Sequence, residues 1–203
     1  MIGVGKRLAV AVVLVSLAFG ASADSGANPF AVAVDAYEAG NYPLAARKFR
    51  EAAEQGHANA QYNLGIMYDG GQGVPQSYAE SIKWYRLAAE QGFASAQFNM
   101  GVMYDNGLGV PQNYAEAVKW YRLAAEQGRS DAQLNLGYMY SEGQGVPQNG
   151  VIGYVWASLA AAQGNEMARE NRDISVKQLT PEQLARGQEI AARCFESGYK
   201  DCK

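Results

Sequence analysis

Few side chains of this sequence are of a type and spacing that could do chemistry. His57 is the single histidine, and a nucleophile–histidine–acid triad would have to use it. One histidine and two cysteines argue against a zinc or haem site built from protein ligands, so neither metal nor cofactor is expected. Ser197-Gly-Tyr-Lys200 fits the S-x-x-K pattern, in which the serine is the acylated nucleophile. No K-T-G or S-D-N accompanies it. The glycine-rich stretch 70–76 lacks the Gly-Lys-Ser/Thr of a phosphate-binding loop and the third glycine of a dinucleotide fingerprint, so it reads as a turn. Glu80 with Glu116, and Glu90 with Glu126, could act as paired acids, but they recur at helix starts and helix ends, where carboxylates have structural uses. Lys-Trp-Tyr-Arg at 83–86 and 119–122 mixes cations with aromatics as a nucleic-acid surface would. On a chain of net charge −3 that reading is weak, and no nucleic-acid partner is expected. The chemistry therefore points away from catalysis, and the elements carrying these residues become the question.

Those elements repeat. Gly56, Gly92, Gly128 and Gly164 are 36 residues apart, and the same step relates Gln61, Gln97 and Gln133, then Asn63, Asn99 and Asn135. Residues 56–91 and 92–127 share 26 identities in 36. Each unit reads as helix, loop, helix. The first helix spans about Ala58 to Asp69, and Gly and Pro in 70–76 break it. Ser77 followed by Glu80 forms a capping box that starts the second helix, Tyr78 to Gln91, which Gly92 ends as a left-handed cap. Gly65, Gly101 and Gly137 fall inside the first helix, where each costs up to about 1 kcal/mol against alanine. Their recurrence predicts close approach of the partner helix.

The pattern Ala-x-Ala-Gln-x-Asn-Leu-Gly-x-Met-Tyr, then Gly-x-Gly-Val-Pro-Gln, then Tyr-Ala-Glu-x-x-Lys-Trp-Tyr-Arg-Leu-Ala-Ala-Glu-Gln-Gly resembles the Sel-1-like repeat, a tetratricopeptide-like family with a longer loop inside each repeat. The resemblance covers three copies, 56–91, 92–127 and 128–163. It implies an all-α fold, a right-handed α-α solenoid of helix pairs whose concave face is lined by first helices. A degenerate helix pair over 24–55 precedes the copies, and capping helices with a disulfide loop over 164–203 follow them. Thr180-Pro181-Glu182-Gln183 carries an N-cap, a proline at the first helical position and a capping glutamine, which starts a helix at about 181–195. That helix covers the third copy, where Lys-Trp-Tyr-Arg has become Val155-Trp156-Ala157-Ser158.

Residues 1–23 read as a signal peptide. Lys6 and Arg7 precede an apolar run from Leu8 to Phe19, and Ala21-Ser22-Ala23 provides small residues for cleavage. The run rises about 18 Å as a helix, too short for a bilayer core of about 30 Å. Removal of the segment leaves a formal charge of −5, a protein without a membrane span, and a periplasmic or secreted location. In such a compartment Cys194 and Cys202 are most simply one disulfide; a redox-active pair and two free thiols are the other readings.

Differences between copies separate scaffold from surface. Positions 61, 63, 65, 67 and 68 keep their identity through all three copies, whereas 62, 66 and 69 do not. Tyr62, Ile66 and Asp69, with Phe98, Val102, Asp105, Leu134 and Tyr138, therefore lie on one helical face that the resemblance places on the concave side. Asn59, Ser95 and Asp131 either join this face or cap their helices. The face is either a groove for a protein or peptide partner or a packing surface with local volume swaps. Under the groove reading, replacing Phe98 and Tyr138 by alanine weakens capture and spares folding. The expected function is that of a monomeric, exported, non-enzymatic interaction scaffold. The resemblance also brings an alternative, because disulfide-rich relatives have been proposed to handle β-lactams: an envelope hydrolase acting on β-lactams or peptidoglycan. Those relatives carry a cysteine pair within each repeat, and this chain has none there.

Overall fold

A computed structural model describes residues 28–202. The signal-peptide reading of 1–23 lies outside the described residues. The described chain contains ten helices and no strand, as the fold class requires. It divides into two compact units, one ending at Ala88 and one beginning at Ala89.

In the first unit, α1 (Pro29–Glu38) and α2 (Tyr42–Glu54) form the degenerate pair, followed by α3 (Ala58–Gly70) and α4 (Tyr78–Glu90). Asn28 and Asn41 cap α1 and α2 by accepting from the backbone N–H of Phe30 and Leu44. The Ser77 hydroxyl accepts from Glu80 N–H at the start of α4. Phe30, Ala33, Phe49, Ala53, Leu64 and Met67 make the core of this unit, with Trp84 at its edge.

The second unit contains α5 (Ala94–Asn106), α6 (Tyr114–Ala125), α7 (Ser130–Glu142), α8 (Gly150–Ala162), α9 (Glu166–Gln178) and α10 (Pro181–Glu196). From α5 to α9 each helix packs on the next, and α10 packs on α8. Thr180 and Gln183 make the reciprocal capping box expected at the start of α10. Ile190 and Cys194 of α10 join Val155, Trp156 and Leu159 of α8 in one core, so the altered second helix of the third copy is covered. Cys194 and Cys202 are joined by a disulfide, and no free cysteine exists among the described residues. No described helix is long and apolar enough to cross a membrane.

The in-helix glycines are contact points. A Cβ on Gly65 would stand 2.6 Å from the ring of Tyr85, and one on Gly101 would stand 2.5 Å from the ring of Tyr121. In the third copy the tyrosine has become Ala157, and the space is closed by backbone: a Cβ on Gly137 would meet the Gly153 carbonyl at 3.0 Å. The helices of that copy thus approach closely enough to exclude the ring entirely. The invariant glutamines act as staples. Gln61, Gln97 and Gln133 are buried, and each donates its side-chain amide to the carbonyl of Ala53, Ala89 or Ala125, in the last turn of the preceding helix, at 3.1 Å. A buried amide without such an acceptor would cost about 1–3 kcal/mol, which explains why this position does not vary.

Candidate functional site

The face singled out by its variability is built mostly from packing residues, and the reason is visible in each unit. Tyr62 packs on Tyr85 of its own repeat with ring centroids 5.8 Å apart, and Phe98 packs on Tyr121 in the same way, also at 5.8 Å. A second layer closes over the aromatic from the start of the next first helix. In the second unit the Arg129 guanidinium lies 5.1 Å from the centre of the Phe98 ring. It also donates to both Asp131 carboxylate oxygens, at 3.0 and 2.6 Å, and to the Ser95 hydroxyl at 2.5 Å. The first unit repeats the arrangement with His57, which stacks on Phe30 at 4.4 Å and caps α3 by accepting from Ala60 N–H. His57 therefore has a structural role that nothing in the sequence had marked.

The eight residues of that face differ in how much surface they keep. Ile66 has no exposed surface, and Tyr62, Phe98 and Leu134 keep under a tenth of theirs. Leu134 packs with Ala160, Ala161 and Ala168. Val102, Asp69 and Asp105 are half-buried. Asp105 accepts from the Tyr121 hydroxyl at 3.2 Å. Burial holds the Asp69 and Asp105 carboxyls above the usual carboxylate range, with the Tyr121 hydroxyl partly opposing the rise at Asp105. Burial and the adjacent Asp105 charge push the Tyr121 hydroxyl well above the ordinary phenol value, so it stays protonated as the donor. In the third copy Asp and Tyr change together, to Ser141 and Ala157. Asn59 and Ser95 do not cap their helices by side chain: His57 caps α3, and α5 has no side-chain cap.

One position remains open. Tyr138 is 50% exposed, and Ile174, one 36-residue step further on α9, is 52% exposed. With half-buried Val102 they mark the same register on α5, α7 and α9. Beside them lies a cavity of about 160 Å³ whose lining includes Tyr138, Ser141, Asn171, Ile174, Ser175 and Gln178. Ile174 escaped the sequence comparison because α9 has lost the repeat motif. The signal that marks it is the 36-residue step itself, which relates Val102, Tyr138 and Ile174.

The two remaining motifs resolve structurally. The Ser197 hydroxyl donates to the Cys194 carbonyl at 2.9 Å and accepts from the backbone N–H of Lys200 and Asp201, at 3.3 and 3.0 Å. The serine thus organises the disulfide loop. In the Lys-Trp-Tyr-Arg clusters, Lys83 lies over the Trp84 ring, Lys119 pairs with Glu116, and Arg122 donates to the Tyr140 hydroxyl. Both clusters are committed to intramolecular contacts.

Comparison with known proteins agrees with this architecture. The Sel1 repeat matches residues 58–93, 94–128 and 130–165. Among solved structures, the chain is similar to a protective antigen of uropathogenic Escherichia coli displaying an SLR fold, with 34% identity and a TM-score of 0.72. That similarity covers 86% of this chain and 42% of the antigen, so the chain spans less than half of that protein's length. It is also similar to a Sel1 repeat protein from Oxalobacter formigenes, with 31% identity and a TM-score of 0.66, over 79% of this chain and 74% of the other. No curated protein matches. With three matched repeats covering more than half of its length and helix pairs packed in sequence, the chain belongs to the Sel1 repeat family.

Proposed function

We propose that this protein is an exported, non-enzymatic adaptor that holds an extended segment of a protein partner against the first-helix face of its second unit. The contact row is Val102, Tyr138 and Ile174, with the cavity beside α7 and α9 accepting a side chain. Asp105 supplies a carboxylate at one end of the row. The observation that carries the reading is the half exposure of Tyr138 and Ile174: Leu134, Leu136 and Met139 of α7 are buried around Tyr138, and on α9 Met167 and Val176 are exposed along with Ile174. Tyrosine in such a position offers a wide apolar ring and a polar tip at small entropic cost, which is why it anchors so many interfaces. Export is supported by the leader-like segment 1–23 and by the Cys194–Cys202 disulfide, both suited to the periplasm or the cell exterior.

The test is affinity capture from an envelope extract with three baits: the wild type, a Tyr138→Ala/Ile174→Ala variant, and a Leu123→Ala control altered at an exposed apolar site on α6. A partner retained by the wild type and the control but lost by the double variant supports the reading, provided melting is unchanged. Equal capture by all three refutes this face as the binding surface.

A further inference from the structure

The second unit has another concavity, remote in the repeat from the first-helix row. A pocket of about 320 Å³ opens where α6, α8, α10 and the disulfide loop meet. Its apolar lining comes from Trp156, Ile190, Val151 and Ile152, of which Trp156 and Ile190 belong to the core of the unit. Around it stand three cations, Arg122, Arg186 and Lys200, against the single carboxylate Glu126. The chain as a whole carries a net charge of −3, so this cluster runs against the general balance.

The cations differ in what occupies them. The Arg122 guanidinium is oriented by its hydrogen bond to Tyr140 and lies 5.9 Å from the centre of that ring, which still leaves it further N–H donors. Arg186 and Lys200 are exposed, and neither side chain has an acidic partner within salt-bridge distance among the described residues. Arg193, on the same helix as Arg186, is by contrast paired with Glu189 and Asp201. Glu126 is likewise without a described ion-pair partner, so the free cations are not consumed by the one acid in the lining. Lys200 is held at the pocket by the loop that the Cys194–Cys202 bond and the Ser197 hydroxyl fix in place.

We infer that this pocket binds an organic anion consisting of a carboxylate on an apolar body. The body fills the space over Trp156 and Ile190, and the carboxylate meets Arg186 and Lys200 at the rim. The volume lies near the lower end of the range of about 300–1,000 Å³ for small-molecule sites. It admits a free medium-chain acid or the last residues of a polypeptide that ends in an apolar side chain, and the charge-assisted bonds are the same for both.

The experiment titrates the full chain with octanoate, octylammonium, acetyl-Ala-Leu-Phe and its C-terminal amide, followed by the indole N–H resonance of Trp156. The expected result is saturable binding of at least one of the two acids, with octylammonium and the peptide amide much weaker. Arg186→Gln and Lys200→Gln should each weaken that binding roughly tenfold or more, as loss of one hydrogen bond to a charged group would. Both side chains are exposed, so these variants fold. Octanoate binding best identifies a free anion as the natural ligand, and the peptide acid binding best identifies a polypeptide end. The inference is overturned if octanoate and octylammonium bind alike, if the two substitutions change nothing, or if no acid saturates the resonance shift. None of these outcomes depends on Tyr138 or Ile174, so failure here is distinguishable from failure of the proposed adaptor face.

Discussion

Replacing Phe49 by tyrosine should stabilise the protein. In the second unit the Tyr121 hydroxyl, besides meeting Asp105, is hydrogen-bonded with Asn135 on the next first helix. Phe49 occupies the equivalent place in the first unit, at the same distance along the chain from Asn63. Both residues are fully buried, and neither the oxygen nor the nitrogen of the Asn63 amide has a hydrogen-bond partner among the described residues. A new hydroxyl there would satisfy part of a group whose burial unpaired costs about 1–3 kcal/mol, for a net gain of about 1 kcal/mol. For a chain of this size that corresponds to a rise in Tm of about 2–4 °C. Urea and thermal unfolding of Phe49→Tyr, Asn63→Leu and the double variant measure the coupling directly. The gain should vanish in the Asn63→Leu background, where the hydroxyl itself becomes the unpaired group. Destabilisation by Phe49→Tyr alone, or an equal gain in both backgrounds, would refute the assignment of Asn63 as an unmet partner.

Three further outcomes follow from the same contacts. Gly101→Ala raises helix propensity by about 1 kcal/mol but drives a methyl into the buried Tyr121 ring, so urea unfolding should show a net loss of about 1–2 kcal/mol; a stabilised variant would mean the two helices can part freely. Phe98→Ala should cost about 3–5 kcal/mol because the ring is held between Tyr121 and Arg129, whereas Tyr138→Ala should cost under about 0.5 kcal/mol, and calorimetry separates the two. Asp105 has a raised pKa in the folded state, so the native protein binds more protons than the unfolded chain from the ordinary carboxylate range upward, and its charge costs more stability as pH rises through that window. Asp105→Asn keeps an acceptor for Tyr121, and its urea midpoint relative to wild type should therefore climb between pH 4 and pH 7; a flat or falling difference contradicts the assignment.

The helix pairs were legible in the sequence because glycine, proline and capping residues recur at fixed intervals, and each has a conformational reason to be where it is. Gly65 and Gly101 even disclosed the close helix approach, since a destabilising residue kept in register needs a contact to explain it. The surface was less legible. Variation at positions 62 and 66 looks the same whether a side chain faces solvent or fills a core of changing volume, and the layer that buries Phe98 comes from Arg129, while the layer over Phe30 comes from His57. Two residues with so little chemistry in common do not announce a shared position. Ile174 stayed hidden because α9 keeps the geometry of a first helix after losing its motif, and geometry is what an alignment of letters cannot see.

The inner loops carry a consequence for how such proteins change over time. Gly73 lies against the backbone of Tyr42 and Pro43, and Gly145 against that of Tyr114 and Ala115, each time at the start of the second helix one repeat earlier. Both glycines have positive φ, so neither the space nor the backbone shape admits another residue. A surface turn ordinarily tolerates an added or missing residue; these turns are docked, and a one-residue insertion would lift the turn off its neighbour. Such genes should therefore lengthen or shorten by whole 36-codon blocks through unequal recombination, with small indels purged from the interior and gathered near the two ends.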